Sequence, residues 1–207
     1  MAAYGGKRLF DLLLTGLAAP LWIPALLVTA VLVRIRMGSP VLFQQQRAGR
    51  DALPFACTKF RTMTDARDAS GALLPDEARL TRFGRWLRST SLDELPELLN
   101  VVRGEMGLVG PRPLPERYVS RYTPWHRRRL EVRPGITGLA QVSGRNAISW
   151  DEKLDLDVSY VDRCNLRMDL AILWRTVAVV GRREGIETAD DSIMPEFLGS
   201  SAASSEQ

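Results

Sequence analysis

The longest apolar stretch of the chain runs from residue 9 to residue 33 and contains one charged side chain, Asp11. As a straight helix these residues would reach about 37 Å, more than the roughly 30 Å of a bilayer core. Pro20 and Pro24 lie near its middle, and each lacks the N–H that a helix needs there. The pattern therefore predicts a helix, a break at Pro20 and Pro24, and a second helix, each arm about one leaflet deep.

Basic residues flank this stretch on both sides, with Lys7 and Arg8 before it and Arg34 and Arg36 after it. Because basic flanks favour the cytoplasmic side, both ends are expected there, which a re-entrant hairpin over residues 1–36 allows and a single span does not. A cleaved signal peptide is disfavoured by the length of the run. A single span and a buried hairpin of a soluble core stay open. Thr15 is a candidate to hydrogen-bond the carbonyls freed at the break.

Two short strand patterns follow, at residues 40–46 and 53–60, and the turn between them contains Gly49 and Asp51, which predicts a β-hairpin. Residues 78–89 have apolar positions at helical spacing. Four arginines recur every third residue along one side of that helix: Arg79, Arg82, Arg85 and Arg88. They are expected to form either a solvated face or a surface for phosphates or lipid headgroups.

The remaining pattern is mainly helical, so the expected fold class is α+β, with amphipathic interface helices around a small catalytic core. Residues 104–115 and 133–146 are predicted to be loops, the latter with short strand-like pieces, and 116–132 a helix broken at Pro124. Ser149 begins a capping box for a helix over 149–164, and a last helix covers 167–183. The expected domains are a membrane helix (1–36), a cytoplasmic domain (37–187) and a flexible acidic tail (188–207).

Charge is unevenly distributed along the 207 residues. Residues 1–183 carry 28 basic and 18 acidic side chains, a balance that suits phosphate-rich partners or an anionic membrane surface. Nucleic-acid binding would fit the charge, but it leaves the apolar stretch unexplained and no reader motif is present. The single histidine, His126, excludes zinc sites built on several histidines, while Cys57 and Cys164 indicate free thiols in a reducing compartment.

The segment SLDELPELLN, residues 91–100, places Asp93 and Glu94 side by side. A structural interpretation is a capping box from Ser91 to Glu94 with a helix starting near Pro96. A chemical interpretation starts from the arginines that precede and follow the pair, among them Arg88, Arg112 and Arg145. Carboxylates among guanidinium groups can hold Mg²⁺ together with substrate phosphates, or one of them can attack phosphorus.

Six stretches, in order, resemble one family, the monotopic phosphoglycosyl transferases, which are bacterial sugar transferases. They are KRLFDLLL (7–14), GSPVLFQQQRAG (38–49), FACTKFRTM (55–63), LTRFGRWLRSTSLDELPELLNVVRGEMGLVGPRP (80–113), RPGITGLAQVSGRN (133–146) and DLDVSYVDRCNLRMDLAILWRT (155–176). The resemblance covers roughly residues 7–185. Two departures stand out, since Ile23 precedes Pro24 where the family often has serine, and Glu105 replaces a frequent aspartate.

The resemblance implies transfer of a sugar 1-phosphate from a UDP-sugar to undecaprenyl phosphate, with release of UMP. It implies Asp93 as the nucleophile and Glu94 as its partner, orienting Asp93 or handling a proton. Mg²⁺ is expected at Asp93 and the diphosphate, with Lys59, Arg88, Arg112 and Arg145 on phosphates.

The same resemblance implies a monotopic protein of the bacterial inner membrane, among phospholipids, with its catalytic domain facing the cytoplasm and downstream glycosyltransferases as further partners. Two alternatives stay open. One is a glycosyltransferase that moves the sugar alone and releases UDP. The other is a non-catalytic membrane scaffold that binds anionic lipid through its basic face.

Overall fold

The computed structural model describes residues 4–144, 148–182 and 196–199, with the side chains of the last helix described to residue 179. The helices are α1 (Lys7–Leu17), α2 (Ala19–Met37), α3 (Asp76–Arg79), α4 (Arg82–Ser89), α5 (Glu97–Arg103), α6 (Pro124–Arg127), α7 (Leu139–Ser143), α8 (Trp150–Arg163) and α9 (Leu166–Arg182). The strands are β1 (Leu42–Ala48), β2 (Pro54–Phe60), β3 (Gly107–Val109) and β4 (Gly135–Thr137). The chain is thus mainly helical with two small sheets, which confirms the expected class in its coarse form.

The N-terminal apolar stretch forms two helices, α1 and α2, that meet at Ala18. Pro20 lies in the first turn of α2, where a missing N–H costs no helical hydrogen bond. Pro24 lies inside α2, so the prediction that the helix breaks at Pro24 is wrong. Among the described residues, α2 is the one helix long and apolar enough to cross a membrane, and 11% of its apolar window is buried.

The hydroxyl of Thr15 does not bridge the break, contrary to the prediction. Its oxygen is buried and has no hydrogen-bond partner in the described part of the chain. The carbonyl oxygen of Thr15 instead accepts a hydrogen bond of 3.0 Å from the indole Nε1 of Trp22, in the first turns of α2. A side-chain donor from the second helix therefore takes up one of the carbonyls near the junction.

Both ends of the α1–α2 unit are attached to the same body of the protein. At the first end, Lys7 forms salt bridges with Asp11 (2.9 Å) and with Asp169 of α9 (2.8 Å). Asp11, the one charged residue of the apolar stretch, is therefore paired with a residue of its basic flank. At the other end, the guanidinium of Arg61 donates to the carbonyl oxygens of Met37 (2.6 Å) and Ser39 (3.0 Å).

The predicted β-hairpin is confirmed. Strands β1 and β2 pair antiparallel, with Leu42 opposite Phe60 and Ala48 opposite Pro54. The turn between them is a short 3₁₀ segment, Arg50–Ala52. One face of β2 packs on α5, where the side-chain oxygen of Asn100 accepts from the backbone N–H of Thr58 at 3.2 Å.

The predicted helix over 78–89 is instead two helices, α3 and α4, because Thr81 interrupts it and caps α4 by accepting from the N–H of Gly84 at 2.8 Å. The proposed arginine face is therefore divided. Arg79 turns back to the carbonyl oxygen of Thr64 (2.9 Å), while Arg88 reaches the hydroxyl of Thr62 (3.2 Å).

The two segments predicted as loops each contain a strand, since β3 lies within 104–115 and pairs in parallel with β4 from 133–146. Gly110 and Gly135 allow this pairing: a Cβ on Gly110 would lie 2.9 Å from the backbone N of Gly135. These strands are only three residues long, too short for a periodic signal in the sequence. Their residues Val109 and Leu108 join Val101, Met106 and Ile172 in the main core.

The helix predicted over 116–132 is a 3₁₀ segment (Glu116–Arg121), then α6 with Pro124 at its first position, then a second 3₁₀ segment (Arg128–Glu131). The cap predicted at Ser149 is confirmed, because its hydroxyl accepts from the N–H of Glu152 at 3.2 Å. The flexible tail predicted at 188–207 lies mostly outside the described residues. Within it, Phe197 is buried against Tyr118, Tyr122 and Trp150.

Candidate active site

Asp93 and Glu94 lie in a tight 3₁₀ turn, Leu92–Glu94, between α4 and α5. Ser91 has a left-handed backbone (φ 55°) and its side chain makes no capping hydrogen bond, so the predicted capping box is wrong at this position. Pro96 does precede the first residue of α5, as predicted. The acids therefore occupy a turn that points them in different directions, which suits two different roles.

Glu94 is held by two cations from separate elements. Its Oε1 accepts 2.6 Å from the Nζ of Lys59, on β2, and 2.7 Å from the Nη2 of Arg112, in the loop after β3. Burial opposes the negative charge, but Arg112 and Lys59 outweigh it and bring the pKa of Glu94 well below its ordinary value. Glu94 is therefore a fixed anion and does not carry a proton near neutral pH.

Asp93 has the opposite environment. The residue is 8% exposed, and no group in the described part of the chain donates a hydrogen bond to its carboxylate. Burial, and then the charge of Glu94, raise the pKa of Asp93 to about 6, against the opposing effect of Lys59, Arg88 and Arg112. At pH 7 this carboxylate is mostly ionised, and neither of its oxygens accepts a hydrogen bond from the described residues.

A third acid, Glu97 at the start of α5, belongs to the same cluster and was missed by the sequence reasoning. It is 2% exposed, and its Oε1 lies 3.2 Å from the Nζ of Lys59 and 3.5 Å from the thiol of Cys57. Burial and the neighbouring Glu94 raise the pKa of Glu97, while burial and Glu97 raise the pKa of Cys57 to about 12. Its position three residues after Glu94 could have indicated this, because that spacing places two side chains on neighbouring turns of a helix.

The structure brings together most of the residues predicted for phosphate binding. Lys59 and Arg112 contact Glu94 directly, and Arg88 lies close enough to lower the pKa of Asp93. Arg145 lies outside the described residues. Glu105, the acid that departs from the family pattern, accepts 2.6 Å from the side-chain amide of Asn100 and so supports α5.

The cluster can hold a metal ion only together with a bound ligand that supplies further oxygen atoms. Within residues 4–144, 148–182 and 196–199, no three His, Cys, Asp or Glu side chains are grouped so as to hold a metal. Mg²⁺, however, binds through one or two carboxylates and completes its shell with water and substrate phosphates. The unengaged carboxylate of Asp93 can supply such a ligand, whereas one oxygen of Glu94 is already taken by two cations.

Comparison with known proteins identifies the family of the chain. Residues 2–183 match the model of the family described as bacterial sugar transferase. The uncharacterized sugar transferase EpsL of Bacillus subtilis is 51% identical over 199 residues, which cover 96% of this chain and 98% of EpsL. The UDP-glucose:undecaprenyl-phosphate glucose-1-phosphate transferase of Caulobacter vibrioides is 40% identical over 182 residues, covering 83% of this chain and 68% of that protein.

A third relative is much longer than this chain. The undecaprenyl-phosphate galactose phosphotransferase of Salmonella typhimurium is 40% identical over 167 residues, which cover 72% of this chain but 35% of the relative. The chain therefore belongs to the bacterial sugar transferase family and is a phosphoglycosyl transferase.

Proposed function

We propose that the protein transfers a sugar 1-phosphate from a UDP-sugar to undecaprenyl phosphate and releases UMP, through an intermediate in which Asp93 is bonded to phosphorus. A carboxylate oxygen of Asp93 attacks the β-phosphorus of the donor, and the bond from that phosphorus to the bridging oxygen breaks as UMP leaves. A phosphate oxygen of undecaprenyl phosphate then attacks the same phosphorus. The bond to Asp93 breaks, and the product is a lipid diphosphate sugar.

The contrast between the two adjacent acids carries this proposal. A nucleophilic carboxylate has to be ionised and free of competing hydrogen bonds, which describes Asp93 and not Glu94. The low pKa of Glu94 favours an orienting and electrostatic role over proton transfer. The names of the relatives from Caulobacter and Salmonella support undecaprenyl phosphate as the acceptor and, for the former, a UDP-sugar as the donor.

Cations around the pair are suited to the charge of a diphosphate. Arg112 is 44% exposed at its side chain, so its guanidinium can reach a ligand over the acids, and Arg88 lies close enough to lower the pKa of Asp93. Mg²⁺ is proposed to be held by Asp93 and donor oxygens, and when bound it would neutralise charge on the diphosphate. Lys59, 22% exposed, is committed to Glu94 and Glu97 and is therefore assigned to positioning Glu94.

The acceptor is a lipid, and we propose a monotopic position in the cytoplasmic membrane with both ends of α1–α2 on the cytoplasmic side. The apolar side chains of α2 are widely exposed, with Leu21 at 79% and Ile35 at 71%. The attachments of Lys7 to Asp169 and of Arg61 to Met37 hold both ends on one body, which favours a re-entrant unit over a single span.

The decisive experiment measures which nucleotide is released from UDP-glucose, UDP-galactose and UDP-N-acetylgalactosamine in the presence of undecaprenyl phosphate and Mg²⁺. UMP is expected with at least one donor, and UDP would instead establish a glycosyltransferase. Protein quenched with donor alone should carry a sugar-phosphate adduct on Asp93 by mass spectrometry. Full activity of Asp93→Asn would refute the covalent step. Release of no nucleotide from any donor by the natural protein would instead favour the scaffold.

A second experiment tests the membrane position. Cysteines introduced at Gly5 and at Ser39, before and after the α1–α2 unit, are expected to react with an impermeant thiol reagent from the cytoplasmic side only. Both positions tolerate a side chain, since nothing lies within 4 Å of a Cβ on Gly5 and Ser39 is exposed. Reaction of one of them from the opposite side would restore the single span.

A further inference from the structure

The loop that delivers Arg112 is fixed through its backbone. Four consecutive carbonyl oxygens, of residues 111–114, each accept a hydrogen bond from another element: Pro111 from the N–H of Gly135 (3.0 Å), Arg112 from Arg129 (2.7 Å), Pro113 from Arg47 (3.2 Å) and Leu114 from the N–H of Ala48 (3.0 Å). Two of these donors are arginine side chains. Such a continuous set of contacts leaves the loop little freedom to move.

Of these four contacts, the one made by Arg129 holds the residue whose side chain reaches Glu94. It is 2% exposed, and its Nε and Nη2 donate to one oxygen of Asp157 at 3.0 Å and 2.7 Å. Its Nη1 donates to the hydroxyl of Tyr122 at 3.1 Å, and its Nη2 donates also to the carbonyl oxygen of Arg112. All three nitrogens of this guanidinium are thus engaged inside the protein, so the side chain has no direct role toward a ligand.

The position of Arg112 depends on its backbone more than on its side chain. Its side chain is 44% exposed, and a hydrogen bond from its Nη2 to Glu94 holds the far end of that side chain. A long exposed side chain loses considerable rotamer freedom when it is held in one place. Fixing the Arg112 carbonyl shortens the length of chain that is free to move and so favours the contact with Glu94.

We propose that Arg129, neutralised by Asp157, is a positioning residue that holds the backbone of Arg112 so that its guanidinium meets Glu94 and the donor phosphates. This inference rests on the proposed function for the part played by the phosphates. A buried ion pair that only stabilised the fold would also be expected at these two positions. The two roles differ in one respect: only the positioning role requires the guanidinium of Arg112 to be present.

The first variant is Arg129→Lys, which keeps a positive charge opposite Asp157. A lysine ammonium cannot reproduce the planar fork that reaches Asp157, Tyr122 and the Arg112 carbonyl together. Because a displacement of about 1 Å can cost on the order of 100-fold in rate, kcat/KM is expected to fall by up to about that factor. The matched control is Arg128→Lys, at the neighbouring, partly exposed residue that pairs with Glu131 and Asp162, where a change below about twofold is expected.

The deciding measurement is a double-mutant cycle with Arg112→Met. Arg129→Lys is expected to reduce kcat/KM strongly in the natural background and by less than about twofold in the Arg112→Met background. An equal reduction in both backgrounds would mean that Arg129 supports the fold alone and would overturn the proposal. If Arg129→Lys does not accumulate as folded protein, Asp157→Asn takes its place in the same cycle.

A second readout covers the case in which Arg112→Met is too slow to follow. Binding of the UDP-sugar then replaces turnover in the same cycle. Because the guanidinium of Arg112 is proposed to meet the donor phosphates, Arg129→Lys should raise the dissociation constant of the donor in the natural background and change it by less than about twofold in the Arg112→Met background. An equal rise in both backgrounds overturns the proposal. Failure of the wild type to release UMP from any donor would instead refute the proposed function.

Discussion

Replacing Asp93 with asparagine should make the folded protein more stable at neutral pH. The pKa of Asp93 is about 6, against an ordinary value of 3.8. In the window between these two values the folded state binds the proton more tightly than the unfolded state. The free energy of unfolding therefore falls as pH rises through it, by about 1.4 kcal/mol per pH unit and about 3 kcal/mol in all. Asparagine has no charge to bury and escapes this cost.

The expected gain for Asp93→Asn at pH 7 is at most about 3 kcal/mol, since the amide must also be buried. For a chain of this length that corresponds to a rise in Tm of about 6 to 12 °C. The measurement is thermal unfolding, followed by tryptophan fluorescence in lipid nanodiscs, of the wild type and of Asp93→Asn. The matched control is Asp65→Asn, whose side chain is 70% exposed and which should change Tm very little.

The pH dependence distinguishes this reasoning from a general effect of the substitution. The difference in the free energy of unfolding should shrink to about 1 kcal/mol near pH 4.5, where the buried carboxyl of the wild type is mostly protonated. A variant that is no more stable than the wild type at pH 7 would refute the argument. So would a difference that stays constant between pH 7 and pH 4.5, because the ionisation of Asp93 would then not be its cause.

Three further outcomes are expected. In the wild type, kcat/KM should rise with pH through a midpoint near 6 and level off above it, because Asp93 has to be ionised to attack; a profile flat down to pH 4.5 would contradict this. Glu94→Gln should lower the free energy of unfolding by about 3 kcal/mol at pH 7, because it leaves Lys59 and Arg112 without their shared anion, and it should move that midpoint downward. Gly84→Ala should destabilise the protein by several kcal/mol in the same unfolding assay, because the new Cβ collides with the carbonyl oxygen of Thr62.

Local sequence signals predicted those parts of the fold that local interactions determine. The alternation and turn residues around Gly49 predicted the β1–β2 hairpin, and the spacing of Ser149 and Glu152 predicted the cap of α8. The same spacing at Ser91 and Glu94 gave a wrong prediction. There the chain turns through the left-handed Ser91 and Glu94 contacts Lys59 and Arg112, so a tertiary interaction overrides a local one.

The chemistry of the site was predictable from the sequence, but the contacts between its side chains were not. The adjacency of Asp93 and Glu94 and the surrounding basic residues indicated phosphate chemistry. Nothing in the sequence indicated that both Lys59 and Arg112 would contact Glu94 while no described residue donates a hydrogen bond to Asp93. That difference depends on β2 and on the loop after β3: Lys59 and Arg112 lie 35 and 18 positions from Glu94 and meet it only in the folded protein.

The three arginines of WHRRR show the same limit. This segment, residues 125–129, mixes aromatic and basic residues as membrane-interface helices do, and its Trp125 is exposed. Arg129, however, is buried against Asp157, 28 positions further along. In a run of three arginines, the sequence does not indicate which one pairs with a buried carboxylate. The structure identifies it as Arg129.

The placement of the cations explains why the protein uses two adjacent acids instead of one. If Lys59 and Arg112 contacted Asp93, their charges would lower its pKa further, and their hydrogen bonds would occupy the oxygens that we propose attack phosphorus. With these cations on Glu94, Asp93 keeps a raised pKa and accepts no hydrogen bond from the described residues, and the charge of Glu94 itself contributes to the rise in pKa. The basicity of the proposed nucleophile is thus maintained by a neighbour that stays ionised near neutral pH, which a single carboxylate among the same cations could not achieve.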